Sequence, residues 1–200
     1  HPDILPILLE TKQACTDPHL LSNGVSLQER ILHFLAAENI RLTVSLYGME
    51  ENHDFIRGSG TFKKSLETIA KAVALKINTS IQCTLSTKNA NDILSLISLA
   101  ERLGVTHLSF MRMKPLGRGQ DLKDETLTGE ELRTVIERVH EARKNSTVQV
   151  IFKDPLDNVF NKELRDASLE NGCVMGGCRA GIESIFIDPA AQIFPCPFLR

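Results

Sequence analysis

An α/β fold built on a parallel sheet is what this sequence predicts, and two observations predict it. Five short apolar segments of strand character alternate with helical segments, at the spacing of βα units joined by right-handed crossovers. Each of those strands also ends in small, polar or glycine residues, as strands do where such a sheet presents a ligand site. The strands read as continuous apolar runs, with helices on one face and a core filling the other. The pattern leaves open whether the sheet closes into a barrel.

In chain order, Ile4 to Cys15 carries apolar residues at helical spacing, and Asp3 suits the positive end of that helix. His19 to Ser22 reads as a short strand that stops at the turn signal Asn23-Gly24. Ser26, with Glu29 three residues on, forms a capping-box pattern ahead of a helix with Ile31, Leu32, Leu35 and Ala36 on one face. Ile40 to Leu46 is a second strand, closed by Gly48, and Met49 to Gly60 reads as a charged loop. Thr61 to Leu75 is an amphipathic helix, Thr79 to Leu85 a strand, and Asn89 to Leu103 a helix closed by Gly104. Thr106 to Met113 is the fourth strand and Thr147 to Phe152 the fifth, with a helix from Glu130 to Lys144 between them. Asp121 to Thr128 and Asp154 to Asp166 read as polar surface connections.

The 200 residues suffice for one sizeable domain with an appendage, and 42% hydrophobic with 24% charged residues is ordinary for a globular protein. A net charge of −2 gives no argument for nucleic acid or an anionic membrane. No apolar run approaches the roughly 20 residues of a membrane span, and no signal peptide is visible, so a cytoplasmic protein is expected. The sequence opens on His1 and stops just after Cys-Pro-Phe-Leu, which suggests a piece of a longer polypeptide.

The strand ends supply the candidate binding residues: Asn23, then Ser45 with the Arg57 segment, then Thr84, then Arg112 with Lys114 to Gly119. Their basic members, Arg57, Arg112, Lys114 and Arg118, suit an anionic group such as a carboxylate. Four solvated loops with capping residues are the bland alternative. No side chain stands out as a general base; Asp154, at the end of the fifth strand, is the first position to mutate.

The five cysteines divide into two kinds. Cys15, late in a helix, and Cys83, inside a strand, read as small packed hydrophobes. Cys173 and Cys178 lie in the glycine-rich run Asn171 to Cys178, ahead of a hairpin made by Ile185 to Ile187 and Gln192 to Phe194. Cys196 follows the hairpin's second strand, which brings Cys178 and Cys196 to the same end. Such thiols suit a metal or cluster, and a disulfide is not expected in a cytosolic protein. Free structural thiols are the alternative.

Several of these stretches together resemble the radical S-adenosylmethionine (SAM) enzymes. The carrying residues are Ser45-Leu46-Tyr47-Gly48, His53-Asp54, Ile56-Arg57-Gly58 and Phe62, with Leu21-Ser22-Asn23-Gly24 and Pro115-Leu116-Gly117-Arg118-Gly119. His1-Pro2-Asp3-Ile4 is similar to the sequence just beyond the family's Gly-Gly-Glu-Pro motif. Tyr47 stands where the family usually has Asp. Cys178, Asp188-Pro189 and Cys196 resemble the start of a SPASM extension, the auxiliary-cluster module of peptide-modifying members, with Ala191 where Gly is usual. The Cys-x3-Cys-x2-Cys motif that holds the catalytic cluster in that family is not in this sequence.

The resemblance implies a partial parallel (β/α) barrel over residues 1–168 and the first hairpin of a cluster module over 169–200. It implies that Asn23, Ser45, Arg57, Thr84 and Arg112 face SAM, and that Cys178, Cys196 and Cys173 serve a [4Fe-4S] cluster. The implied activity is reductive cleavage of SAM to abstract hydrogen from a peptide or protein, fed by a reductant such as flavodoxin or ferredoxin. The chain as given, lacking the catalytic motif, is expected to be inactive. A haem or other cofactor-pathway enzyme acting on a small precursor is the alternative within the family. Outside it stand a metal-free α/β barrel enzyme and a non-catalytic substrate-binding barrel subunit.

Overall fold

The computed structural model describes residues 3–14, 17–154, 156–157, 180–182 and 185–199, apart from the side chain of Arg118. Cys15, Cys173, Cys178, the segment 158–179 and the expected boundary at 168/169 lie outside the described residues.

The elements follow the expected order: α1 (Ile4–Ala14), β1 (His19–Ser22), α2 (Glu29–Ala37), β2 (Arg41–Leu46), α3 (Glu50–Arg57), α4 (Thr61–Ala74), β3 (Thr79–Leu85), α5 (Ile93–Leu103), β4 (His107–Arg112), α6 (Gly129–Arg143) and β5 (Gln149–Phe152). Strands β1 to β5 lie side by side in sequence order, every neighbouring pair parallel. Two short strands, β6 (Phe186–Ile187) and β7 (Ile193–Phe194), form a separate antiparallel hairpin. The turn between them has Ala191 at φ +62° and is held by Asp188, whose Oδ1 accepts from the amides of Ala190 and Gln192.

The strands are not uniformly apolar, contrary to expectation. Their register puts Leu42, Val44, Leu46, Ile81, Cys83, Leu85, Leu108, Phe110, Val150 and Phe152 on one face. That face is buried beneath the helices, which contribute Leu32 and Leu35, Phe62 and Ile69, Leu96 and Ala100, and Val135 and Ile136 to one continuous core. The opposite face carries His19; Arg41, Thr43 and Ser45; Ser80, Gln82 and Thr84; and His107 and Ser109. A two-residue alternation is how a strand keeps an apolar side and a polar side apart. The small hydroxyl residues suit a concave face, where inward side chains crowd. Lys153, just past β5, continues this face, its amide bonded to the Phe110 carbonyl of β4.

Three local expectations are corrected. Met49 to Gly60 is mostly helix rather than loop: α3 has no long apolar stripe but opens with Glu50 and Glu51 and closes on Arg57, charges that match its dipole. Helix α2 begins at Glu29 with Gln28 at its cap, so Ser26 does not cap it. Gly117–Glu125, read as a loop in its second half, is wound in 3₁₀ turns. A capping arrangement is found instead at α6, where Glu131 Oε2 accepts from the amide and the hydroxyl of Thr128.

Candidate functional site

The carboxyl ends of the strands are fastened to one another by buried polar side chains. After β1, Asn23 turns the chain by accepting from the Val25 amide through its Oδ1. Helix α4 grips that turn from below: Ser65 Oγ donates to the Asn23 carbonyl and Thr68 Oγ1 to that of Gly24. After β2, the Tyr47 amide donates to Nδ1 of His53, which is wholly buried and stands edge-on to Phe62 at 5.6 Å. The next residue, Asp54, caps α4, its carboxylate accepting from the amides of Gly60 and Phe62. Those amide hydrogen bonds, foremost that of Phe62, hold the Asp54 carboxyl below its usual range.

The end of β3 is clamped by Asn89, whose Nδ2 donates to the Thr84 carbonyl while its Oδ1 accepts from the Ser86 amide. Asp92 then ties this end back to β2, its Oδ2 accepting from the Met49 amide and from Asn52 Nδ2, both at 2.8 Å. Gly48 sits between them at φ +89°, and a Cβ there would come within 2.5 Å of Asp92 Oδ2. The Tyr47 hydroxyl donates to Ser86 Oγ at 2.8 Å, with Glu125 Oε2 at 3.4 Å. Burial pushes the Tyr47 phenol up from its usual value. It therefore serves here as a neutral crosslink between β2, β3 and the 3₁₀ segment.

Beyond β3 and β4 opens a cleft of about 690 Å³ lined by Thr84, Met111, Arg112 and Met113 on the sheet side and by Phe186 and Phe198 on the hairpin side. Lys114 reaches across, its Nζ 4.8 Å from the centre of the Phe198 ring. The cleft is thus mixed, with methionine and phenylalanine side chains beside Thr84 and Gln120 and with Arg112 and Lys114 as its cationic members.

Of the expected binding residues, Ser45 and Thr84 share the polar face of adjacent strands, and Thr84 reaches the cleft. Asn23 is exposed at the turn after β1. Arg57 is exposed at the end of α3, beside His53. Arg112 lines the cleft, but its Nε is paired with Asp154 Oδ2 at 3.1 Å, and the Asp154 side chain is only 1% exposed. That pairing makes Asp154 an anchor rather than a base. Cys83 is fully buried and its thiol is pushed up to about 12, as befits a packing residue. Cys196 is half-buried just after β7 and is a free thiol. Among the described residues no group of three metal-ligating side chains converges. Tyr47, Asn89, Asp92, Met111 and Met113 were not anticipated as site residues; the two-residue spacing from Ser45 to Tyr47 was the available signal for the first.

The residues present suit SAM in part. The hydroxyls of Ser45, ahead of the Gly48 turn, and of Thr84 are hydrogen-bonding partners for a ribose and an amino-acid moiety. For an iron–sulfur group, Cys196 is the described thiol in a position to bind.

No family model matches the chain. It is 27% identical to the AdoMet-dependent heme synthase of Methanosarcina barkeri, over 99% of this chain and 60% of that protein. It is 29% identical to the mycofactocin maturase MftC of Mycolicibacterium smegmatis, over 88% and 44%. In fold it is similar to Streptococcus suis SuiB bound to its precursor peptide SuiA, with a TM-score of 0.78 at 15% identity over 97% of this chain and 45% of that one. The chain spans about half the length of the relatives it matches. No helix among the described residues is long and apolar enough to cross a membrane.

Proposed function

We propose that this chain, a relative of radical SAM maturases and haem synthases, forms most of the barrel and the first hairpin of a SPASM-type extension in a radical SAM enzyme that modifies a peptide or protein. The observation that carries this reading is the cleft. It opens at the carboxyl ends of parallel strands, beside the Ser45 and Thr84 hydroxyls, and is roofed by the hairpin that leads into Cys196. SAM cleaved reductively at an iron–sulfur cluster supplies the hydrogen-abstracting radical in such enzymes.

The chain's own residues hold and orient. Ser45, Thr84 and the Asn23 turn present hydrogen-bonding groups to SAM, with Arg57 assigned to its carboxylate. Met111, Met113, Phe186 and Phe198 enclose an apolar substrate side chain and keep water out, and Lys114 meets an anionic neighbour. Cys196, with Cys178 and Cys173, serves an auxiliary [4Fe-4S] cluster in the cytoplasm, with flavodoxin or ferredoxin as reductant and residues 169–200 as the module's beginning.

A small precursor of the haem pathway is the second reading, supported by the 27% identity to the heme synthase relative over 99% of this chain. The decisive test is iron and acid-labile sulfide on the anaerobically reconstituted complete polypeptide, with and without Cys178→Ser plus Cys196→Ser, followed by deoxyadenosine release from SAM. Cysteine-dependent iron and SAM cleavage are expected. An iron-free protein would sink the reading and favour a metal-free barrel. Product formed from a porphyrin precursor and not from peptides would select the second reading.

A further inference from the structure

The polar face of the sheet carries a second group of side chains, most of them at the amino-terminal half of the strands. His19, Arg41, Thr43, Ser80 and His107 come from four adjacent strands in register; Lys153 follows β5 at its carboxyl end, its amide bonded to the Phe110 carbonyl, and its charge acts on His19, Arg41 and His107. Thr43 and Ser80 are buried, and their hydroxyls form a chain that starts at the His19 ring: Nε2 to Thr43 Oγ1 and Thr43 Oγ1 to Ser80 Oγ, each 2.5 Å. Arg41 reaches Asp17 with Nη2 at 2.6 Å, while its Nε is buried without a hydrogen-bond partner among the described residues.

The charges do not cancel. Asp17, well exposed, is the one carboxylate among the described residues that acts on His19, and none there acts on His107 or Lys153. Burial first, and then repulsion from neighbouring cations, lowers the pKa of His19, His107 and Lys153. With both imidazoles held toward neutral, Arg41 and Lys153 supply the positive charge of this face, with Asp17 against Arg41 as the counter-charge among the described residues, and hydroxyl donors lie beside them.

We infer that this half of the face is a binding site for a small oxyanion of the carboxylate or phosphate type, held by Arg41, Lys153, His19 and His107, with the Ser80 hydroxyl as an added donor. The hydroxyl chain links binding to protonation. With His19 neutral and Nε2 accepting, Thr43 donates to the ring and Ser80 donates to Thr43, so both protons are used internally. With His19 protonated, Nε2–H donates to Thr43, Thr43 donates to Ser80, and the Ser80 proton is released toward the ligand. An anion therefore favours charged His19 both by attraction and by accepting from Ser80.

The test is a histidine-ring NMR titration of the complete polypeptide, with His19→Gln and His107→Gln for assignment. Inorganic phosphate and acetate are added separately, against sodium chloride at equal ionic strength to remove screening. At least one of the two oxyanions is expected to raise both ring titration midpoints by about one pH unit, and Lys153→Met to shrink that shift. Which oxyanion acts identifies the ligand chemistry. Shifts no larger than those with chloride overturn the proposal. So do rings that already titrate at or above the ordinary 6.5 before any addition, since an acidic group outside this chain would then fill the site.

Discussion

Nδ1 of His53 accepts the backbone N–H of Tyr47 at 3.1 Å, in a pocket that leaves the imidazole no exposure. An accepting Nδ1 places the ring proton on Nε2, which is buried without a hydrogen-bond partner among the described residues. Desolvation first, and then Arg57, pulls the ring down to about 4, and protonating it would also turn Nδ1 against the Tyr47 amide.

Stability should therefore fall with acidity in a defined window. The unfolded chain takes up this proton near 6.5 and the folded chain only near 4. Between those values the unfolded state binds more protons, so stability is full above the upper value and is lost as pH drops toward the lower one. The single-group effect is roughly 3 kcal/mol at most. Urea unfolding at pH 7.5 and pH 5, for the native protein and His53→Gln, measures it. The native slope should be steeper; equal slopes would show that the ring charges freely.

Gly24 makes a tightly enclosed turn after β1. It has φ +76°, and an added Cβ would meet Val44 Cγ1 at 2.9 Å and the backbone of Ser65 at 3.3 Å. Gly24→Ala combines a left-handed conformation with a forced shift in the core, and is expected to cost about 2–3 kcal/mol. Thermal unfolding checks this, with Asn23→Ala as the milder neighbour. A Tm unchanged by Gly24→Ala would mean that the turn relaxes freely.

The order of strands and of every helix but α3 was legible because those helices write an apolar stripe over several turns. The polar face was harder to read. Thr43, Ser45, Ser80, Gln82 and Ser109 do alternate with Leu42, Val44, Ile81 and Leu108, but buried hydroxyl residues look like ordinary strand formers. His53-Asp54 entered only through the resemblance, and in the structure His53 pins the Tyr47 amide while Asp54 caps a helix. Arg112 was expected at an anion site because the strand order brings it there. Its pairing with Asp154, 42 positions later, is a register effect that one sequence does not display.

That pair makes its own prediction. Asp154 Oδ1 accepts from the Leu156 amide and Oδ2 from Arg112 Nε, and its side chain is almost wholly buried. Arg112→Met removes the cation and leaves the carboxylate only its Leu156 amide bond, and should cost about 1.5–3 kcal/mol. Asp154→Asn should cost less, because the guanidinium is nearly one-third exposed and can turn to water. The double variant should recover part of the Arg112→Met loss in urea titrations. Strict additivity would show that the two side chains act independently and that Arg112 is held for a ligand.

The hairpin turn holds a left-handed alanine. Ala191 sits at φ +62° while its amide donates to the Asp188 carbonyl, and the Asp188 amide donates to Gln192 across the turn. An L-residue with a Cβ pays about 1 kcal/mol for this conformation, and glycine does not. Ala191→Gly is therefore expected to stabilise the hairpin, less the extra entropy that glycine gives the unfolded chain. Hydrogen exchange at the Asp188 amide, paired across β6 and β7, reads the local opening without interference from the sheet. Slower exchange in Ala191→Gly is the expected result. Faster exchange would mean that backbone freedom outweighs the relieved strain, so that alanine is the residue that keeps the segment leading to Cys196 in order.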